Sequence, residues 1–104
     1  MTDPLGQAIR DILAVRGRDV VLRGESIDPP RKMHLARNVE MSDANGDVMY
    51  AENIGMFHAD DAPRKGDSLV LIDADGSPIP GESYVLEMVV QDNGYSVKHI
   101  LRKT

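Results

Sequence analysis

Apolar positions recur first with a helical period and then with an alternating one. Leu5, Ile9, Ile12, Leu13 and Arg16 follow the i, i+4, i+7, i+8, i+11 spacing of one helical face. Asp3 is placed to cap this segment and Pro4 suits its first turn. Gly17 is placed to end it in a left-handed conformation. The spacing predicts a helix over 4–16 with one stripe to bury, and Gly6 weakens its first turn by about 1 kcal/mol relative to Ala.

Beyond the helix the signals are those of strands and turns. Short strands are expected at 19–23, 35–41, 48–57, 68–72, 82–91 and 95–101. In the second, Leu35, Arg37, Val39 and Met41 share a side. The fourth is apolar on both faces, as a central strand is. In the fifth, Tyr84, Leu86, Met88 and Val90 share a face. In the sixth, Tyr95, Val97, His99 and Leu101 alternate with Ser96, Lys98 and Ile100. Asn45-Gly46, the run 73–81 and Asp92-Asn93-Gly94 carry turn chemistry. Residues 24–32, with Pro29-Pro30, and 59–67 read as loops, and the last three residues as a frayed tail. The pattern predicts one domain spanning 1–104 in the α+β class. It is mainly β, a small antiparallel barrel or sandwich over 19–101, with the N-terminal helix covering an open end or face.

Composition narrows the picture. The chain has 104 residues, one Phe, no Trp and no Cys, so aliphatic residues and six Met must fill a thin core. Disulfides, zinc–thiolate sites and thiol catalysis are excluded. No basic segment precedes an apolar run at the start, and no apolar run reaches membrane-spanning length, so the protein is expected to stay in the cytoplasm where it is made. Charge is unevenly placed. Residues 1–37 carry a net charge of +2, residues 38–92 a net −10, and the last twelve residues +3. An acidic middle argues against a nucleic-acid groove and suits end-to-side packing between subunits.

No catalytic constellation emerges. Met41 to Glu52 and Leu71 to Glu82 each match part of a calcium-loop pattern, but Met41 and Leu71 occupy the first ligand position. Hairpin turns explain both, because Asp, Asn and Gly tolerate left-handed backbone angles. His34, His58 and His99 lack ligand spacing and read as isolated surface or half-buried residues. No serine sits in a nucleophile elbow, and the nine glycines are dispersed at turns instead of forming a phosphate loop. Lys65-Gly66-Asp67 reads as a tight turn into the strand 68–72. The protein is expected to be no enzyme and to need no metal or cofactor. Its expected contact surfaces are 24–33, stiffened by prolines and carrying basic residues for a partner's acidic surface, and 42–50. Within them the candidate contacts are Ile27, Arg31, Lys32, Asp43, Asn45 and Asp47.

The order of elements from Glu52 to Lys103 carries a resemblance. An extended segment 53–58 is followed by Asp60-Asp61-Ala62-Pro63-Arg64-Lys65-Gly66-Asp67, the apolar strand 68–72, a turn, the strand 84–90, Asp92-Asn93-Gly94 and a last strand 97–102. This order, behind an N-terminal helix and Val20-Val21-Leu22-Arg23, resembles the head–tail joining (head-completion) proteins of lambda-like tailed phages. The resemblance implies a prophage-encoded structural protein that assembles as a ring at the virion neck. Its partners would be portal-adaptor, neck or tail proteins, with no membrane and no sequence-specific nucleic acid. It would pass from the host cytoplasm to the virion. A tail-terminator or tail-assembly factor, and a non-phage β-barrel binding module, are the alternatives.

Overall fold

The computed structural model describes residues 4–25, 30–42 and 45–104. Helix α1 (Pro4–Arg16) is followed by β1 (Arg18–Leu22), β2 (Arg31–Ser42), β3 (Val48–His58), a 3₁₀ turn (Ala59–Asp61), β4 (Ser68–Ile72), β5 (Pro78–Asp92) and β6 (Ser96–Lys103). All strand pairs are antiparallel, and the order β1-β2-β3-β6-β5-β4 closes on itself as a barrel. Alternation decides what faces inward. Val20, Leu22, Met33, Phe57, Leu69, Leu71, Tyr84, Leu86 and Leu101 form one buried cluster. A six-stranded barrel is narrower than the eight-stranded kind whose interior side chains just fill it, so these side chains occupy the bore.

Of the stripe on α1, only Leu13 is buried, whereas Leu5, Ile12 and Arg16 are exposed, as is the neighbouring Val15 at 84%. The expected burial of the whole stripe therefore fails. The helix crosses β2 and β3 on their outer side. The His58 ring reaches the Gly6 carbonyl at 3.1 Å, and Gly17 sits against the Lys32 Cβ. A crossing helix touches such a face at few points. Gly17 has no positive φ, contrary to the expected left-handed cap. It is required by close approach, because a Cβ there would lie 2.4 Å from the Leu13 carbonyl oxygen.

Three strands run longer than the pattern suggested. β2 starts at Arg31, so Arg31 and Lys32 are strand residues and not part of a loop. β5 starts at Pro78, leaving a shorter turn in which the Asp73 carboxylate accepts from the Asp75 and Ser77 N–H groups at 2.9 and 3.0 Å. β6 runs to Lys103, and the Thr104 N–H donates to the Ser83 carbonyl at 3.0 Å, so the tail is stitched down instead of frayed. β5 also gains an extra residue twice against β6, between Leu86 and Val89 and between Val89 and Gln91. These bulges break the expected face. Tyr84 and Leu86 point inward, but Met88 is 53% exposed. The tight turn before β4 is present: Gly66 has φ +92°, and the Arg64 N–H donates to the Asp67 carboxylate at 2.8 Å.

Gly55 faces the bore opposite Met33 and Leu101, where a Cβ would lie 2.5 Å from the Met33 sulfur and 3.1 Å from a Leu101 methyl. Gly55→Ala is expected to destabilise the protein by about 1–3 kcal/mol through overpacking. Calorimetry should show a lowered melting midpoint with the far-UV spectrum of the native state unchanged.

Candidate interaction surface

Charged clusters seal both ends of the bore. At the end where β2 starts, the Arg23 guanidinium donates to the Asp67 carboxylate at 2.8 Å, to the Glu25 carboxylate at 3.1 Å, and to the Ala62 and Asp61 carbonyls. Arg31 donates to Glu25 at 2.7 Å and to Asp61 at 3.0 Å. Hydrogen bonds from Arg23 and then Arg31 hold the Glu25 carboxyl below its ordinary value of 4.5. At the opposite end, Tyr84 donates its hydroxyl to Glu82 at 2.5 Å, and Arg37 bridges Glu82 at 3.0 Å and Asn53 at 3.2 Å. The Tyr84 hydrogen bond, followed by that of Arg37, holds the Glu82 carboxyl below 4.5 against an opposing desolvation. Desolvation, with the bond to Glu82, raises the Tyr84 phenol above 10.0.

His34 is half-buried as expected, but His58 and His99 are not. His99 is fully buried, with Nδ1 donating to the Glu87 carbonyl at 3.1 Å and the Phe57 ring edge-on to it at 6.4 Å between centroids. His58 is also buried. Its Nδ1 accepts from the Asp60 N–H at 3.0 Å, so the proton lies on Nε2, which donates to the Gly6 carbonyl. Both rings are structural: one packs the bore and the other ties α1 to the end of β3. Among the described residues, no three of His, Asp and Glu are grouped to hold a metal ion. No helix among them is long and apolar enough to cross a membrane.

β3 pairs with β6 only over 54–58, and β2 pairs with β1 only over 31–33, yet β2 and β3 stay paired with each other to Ser42 and Val48. The far part of this hairpin, residues 38–42 paired with 48–52, therefore stands beyond the barrel rim as a two-stranded arm. Asn38 marks its root with a left-handed φ of +54°, while the register is the same on both sides of it. The stretch 38–52 contains four acidic residues (Glu40, Asp43, Asp47 and Glu52) and no basic one. Val48 is exposed, and Tyr50 is 76% exposed.

The expected contact residues separate into three groups. Ile27 and Asp43 lie outside the described residues. Within the chain Arg31 pairs with Glu25 and Asp61, and Lys32 pairs with Asp19 at 2.6 Å. Asn45 and Asp47 are exposed near the arm tip, and both have partners of their own. Val48 and Tyr50 fall in the expected contact stretch 42–50 without being named as contacts, Ile12 belongs to the stripe expected to be buried, and local pattern does not single out Val15. A groove of about 500 Å³ also runs between α1 and β2, lined by Arg10, Leu13, Ala14, Pro30, Lys32 and Asp61 among others. Compared with known protein families and curated proteins, the chain matches none.

The Glu82 cluster makes a pH prediction. A carboxyl held below its unfolded value adds stability above about pH 4.5, and that stability is lost as pH falls through the folded value. Glu82→Gln is expected to be less stable than the parent at neutral pH, with the gap narrowing below pH 4.5. Urea melts across pH 3–7 measure it. Parallel curves would show that the carboxylate adds nothing as an anion.

Proposed function

We propose that the protein is a structural subunit that works through protein–protein contacts, as a ring-forming component of the neck of a tailed phage or prophage. The observation that carries this reading is the division of the molecule. Side chains fill the bore and ion clusters close its ends, while a hairpin arm and an apolar helix face are presented outside. Such a body supplies shape and contact surface. Exposed contiguous apolar residues beside charged ones are what an interaction site offers. The order of elements along the chain, with its resemblance to head–tail joining proteins, supports a location at the neck. A marginally stable small domain that orders against neighbours suits assembly onto a symmetric platform, where many weak contacts act together.

The groove between α1 and β2 favours a second reading, a non-phage module that takes a peptide or small ligand there. Particles induced from a lysogen carrying this coding sequence, banded on a density gradient and analysed by quantitative mass spectrometry, separate the two. The neck reading expects a small fixed number of copies per particle, the same in every preparation. Well-formed infectious particles lacking the protein would overturn it.

A further inference from the structure

Three steps in the chain place an Asn or Asp directly before a glycine: Asn45-Gly46, Asp75-Gly76 and Asn93-Gly94. At such a step a main-chain nitrogen reaches the side-chain carbonyl carbon of the preceding residue most easily, because glycine puts no Cβ in the way. The fold treats the three differently. Asn93 is held: its Oδ1 accepts from the Tyr95 and Ser96 N–H groups at 2.9 and 2.8 Å, and the Gly94 N–H donates to the Asp92 carboxylate at 2.9 Å. At the second step the Gly76 N–H donates to the Asp73 carbonyl at 3.0 Å, and the Asp75 side chain has no amide to lose. Asn45 has another setting. With Gly46 and Asp47 it lies between the strands of the arm, and all three are exposed. Gly46 has φ +83°, and nothing stands within 4 Å of the place a Cβ would take, so solvent surrounds the step. Asn45 has a partner of its own, and at an exposed position water competes for it.

We infer that Asn45 is a site of spontaneous deamidation and that the fold protects Asn93 from the same reaction. The Gly46 main-chain nitrogen gives its proton to hydroxide and bonds to the Asn45 Cγ. The Cγ–Nδ2 bond breaks, and Nδ2 leaves as ammonia with a proton from water. Water then opens the five-membered imide. Breaking the new N–Cγ bond gives aspartate. Breaking the bond from the Asn45 main-chain carbonyl carbon to the Gly46 nitrogen gives isoaspartate, in which the main chain runs through Cγ and gains one carbon. Nothing is oxidised or reduced. Either product replaces a neutral amide by a carboxylate and adds one negative charge to a formal net of −5. That charge falls on the arm, close in sequence to the exposed Val48, and away from the buried cluster of the bore. The reaction needs no partner and so does not depend on the neck reading.

The test is peptide mapping of the purified full chain by mass spectrometry after days at mildly alkaline pH. Incubation in heavy-oxygen water, with digestion in ordinary water under mildly acidic conditions, labels only what converts in the intact protein. The folded chain is expected to yield aspartate and isoaspartate peptides at Asn45 about tenfold or more faster than at Asn93, because the held turn must open locally before it reacts. In guanidinium chloride the two sites are expected to convert at similar rates, since only the fold tells them apart. Asn45 staying intact in the folded chain while it converts in denaturant would overturn the inference. So would equal rates at Asn45 and Asn93 in the folded chain, or the same preference already present in denaturant.

Discussion

The molecule depends on one seam. β4 closes onto β1 through Val20 opposite Leu71, Val21 opposite Val70 and Leu22 opposite Leu69. Both strands are only five residues long, and without their pairing the sheet has two open edges and no bore. The charged cluster at the end of β1 lies on this seam. The Arg23 N–H donates to the Ser68 carbonyl at 2.8 Å, and its guanidinium grips Asp67, immediately before β4. Arg23 holds a left-handed φ of +57° to do so. A costly backbone angle is thus offset by several charge-assisted hydrogen bonds, which are stronger than neutral ones.

Closure explains the rest of the architecture. A narrow bore has room for one layer of aliphatic and aromatic side chains, so a glycine is needed at position 55, opposite Met33 and Leu101. Strands that outrun the bore must go elsewhere. β2 and β3 outrun it together and become the arm, while β5 absorbs its excess in two bulges against β6. The helix has no interior left to enter and lies outside, held by Leu13 and the His58 hydrogen bond. Its remaining apolar residues stay in water unless another molecule covers them.

Local features were legible in the sequence wherever a local cause fixes them. The helix spans Pro4–Arg16 as its period and its proline predicted, and the turn at Gly66 follows from its residue types. The features that were not legible have distant causes. Arg31 and Lys32 look like loop residues beside two prolines. Their place in β2 is fixed by partners elsewhere in the chain, Asp61 thirty residues away and Asp19 on the neighbouring strand. The face of β5 fails after Leu86 because a bulge depends on what β6 offers, and no alternation in β5 alone reveals it. The expected contact stretch 42–50 does hold Val48 and Tyr50, but their exposure depends on where β6 stops pairing with β3.

The unbroken register across Asn38 has a consequence for how such a chain can diverge. Arg37 pairs with Asn53 and Val39 with Ala51, so the two strands stay in step through the root of the arm. Residues inserted in matched twos on both strands above that root would lengthen the reach and keep every side chain on its original face. The barrel below would not register the change. Reach is therefore a dimension that descendants of this sequence can tune separately from stability, fitting one body to neighbours set at different spacings.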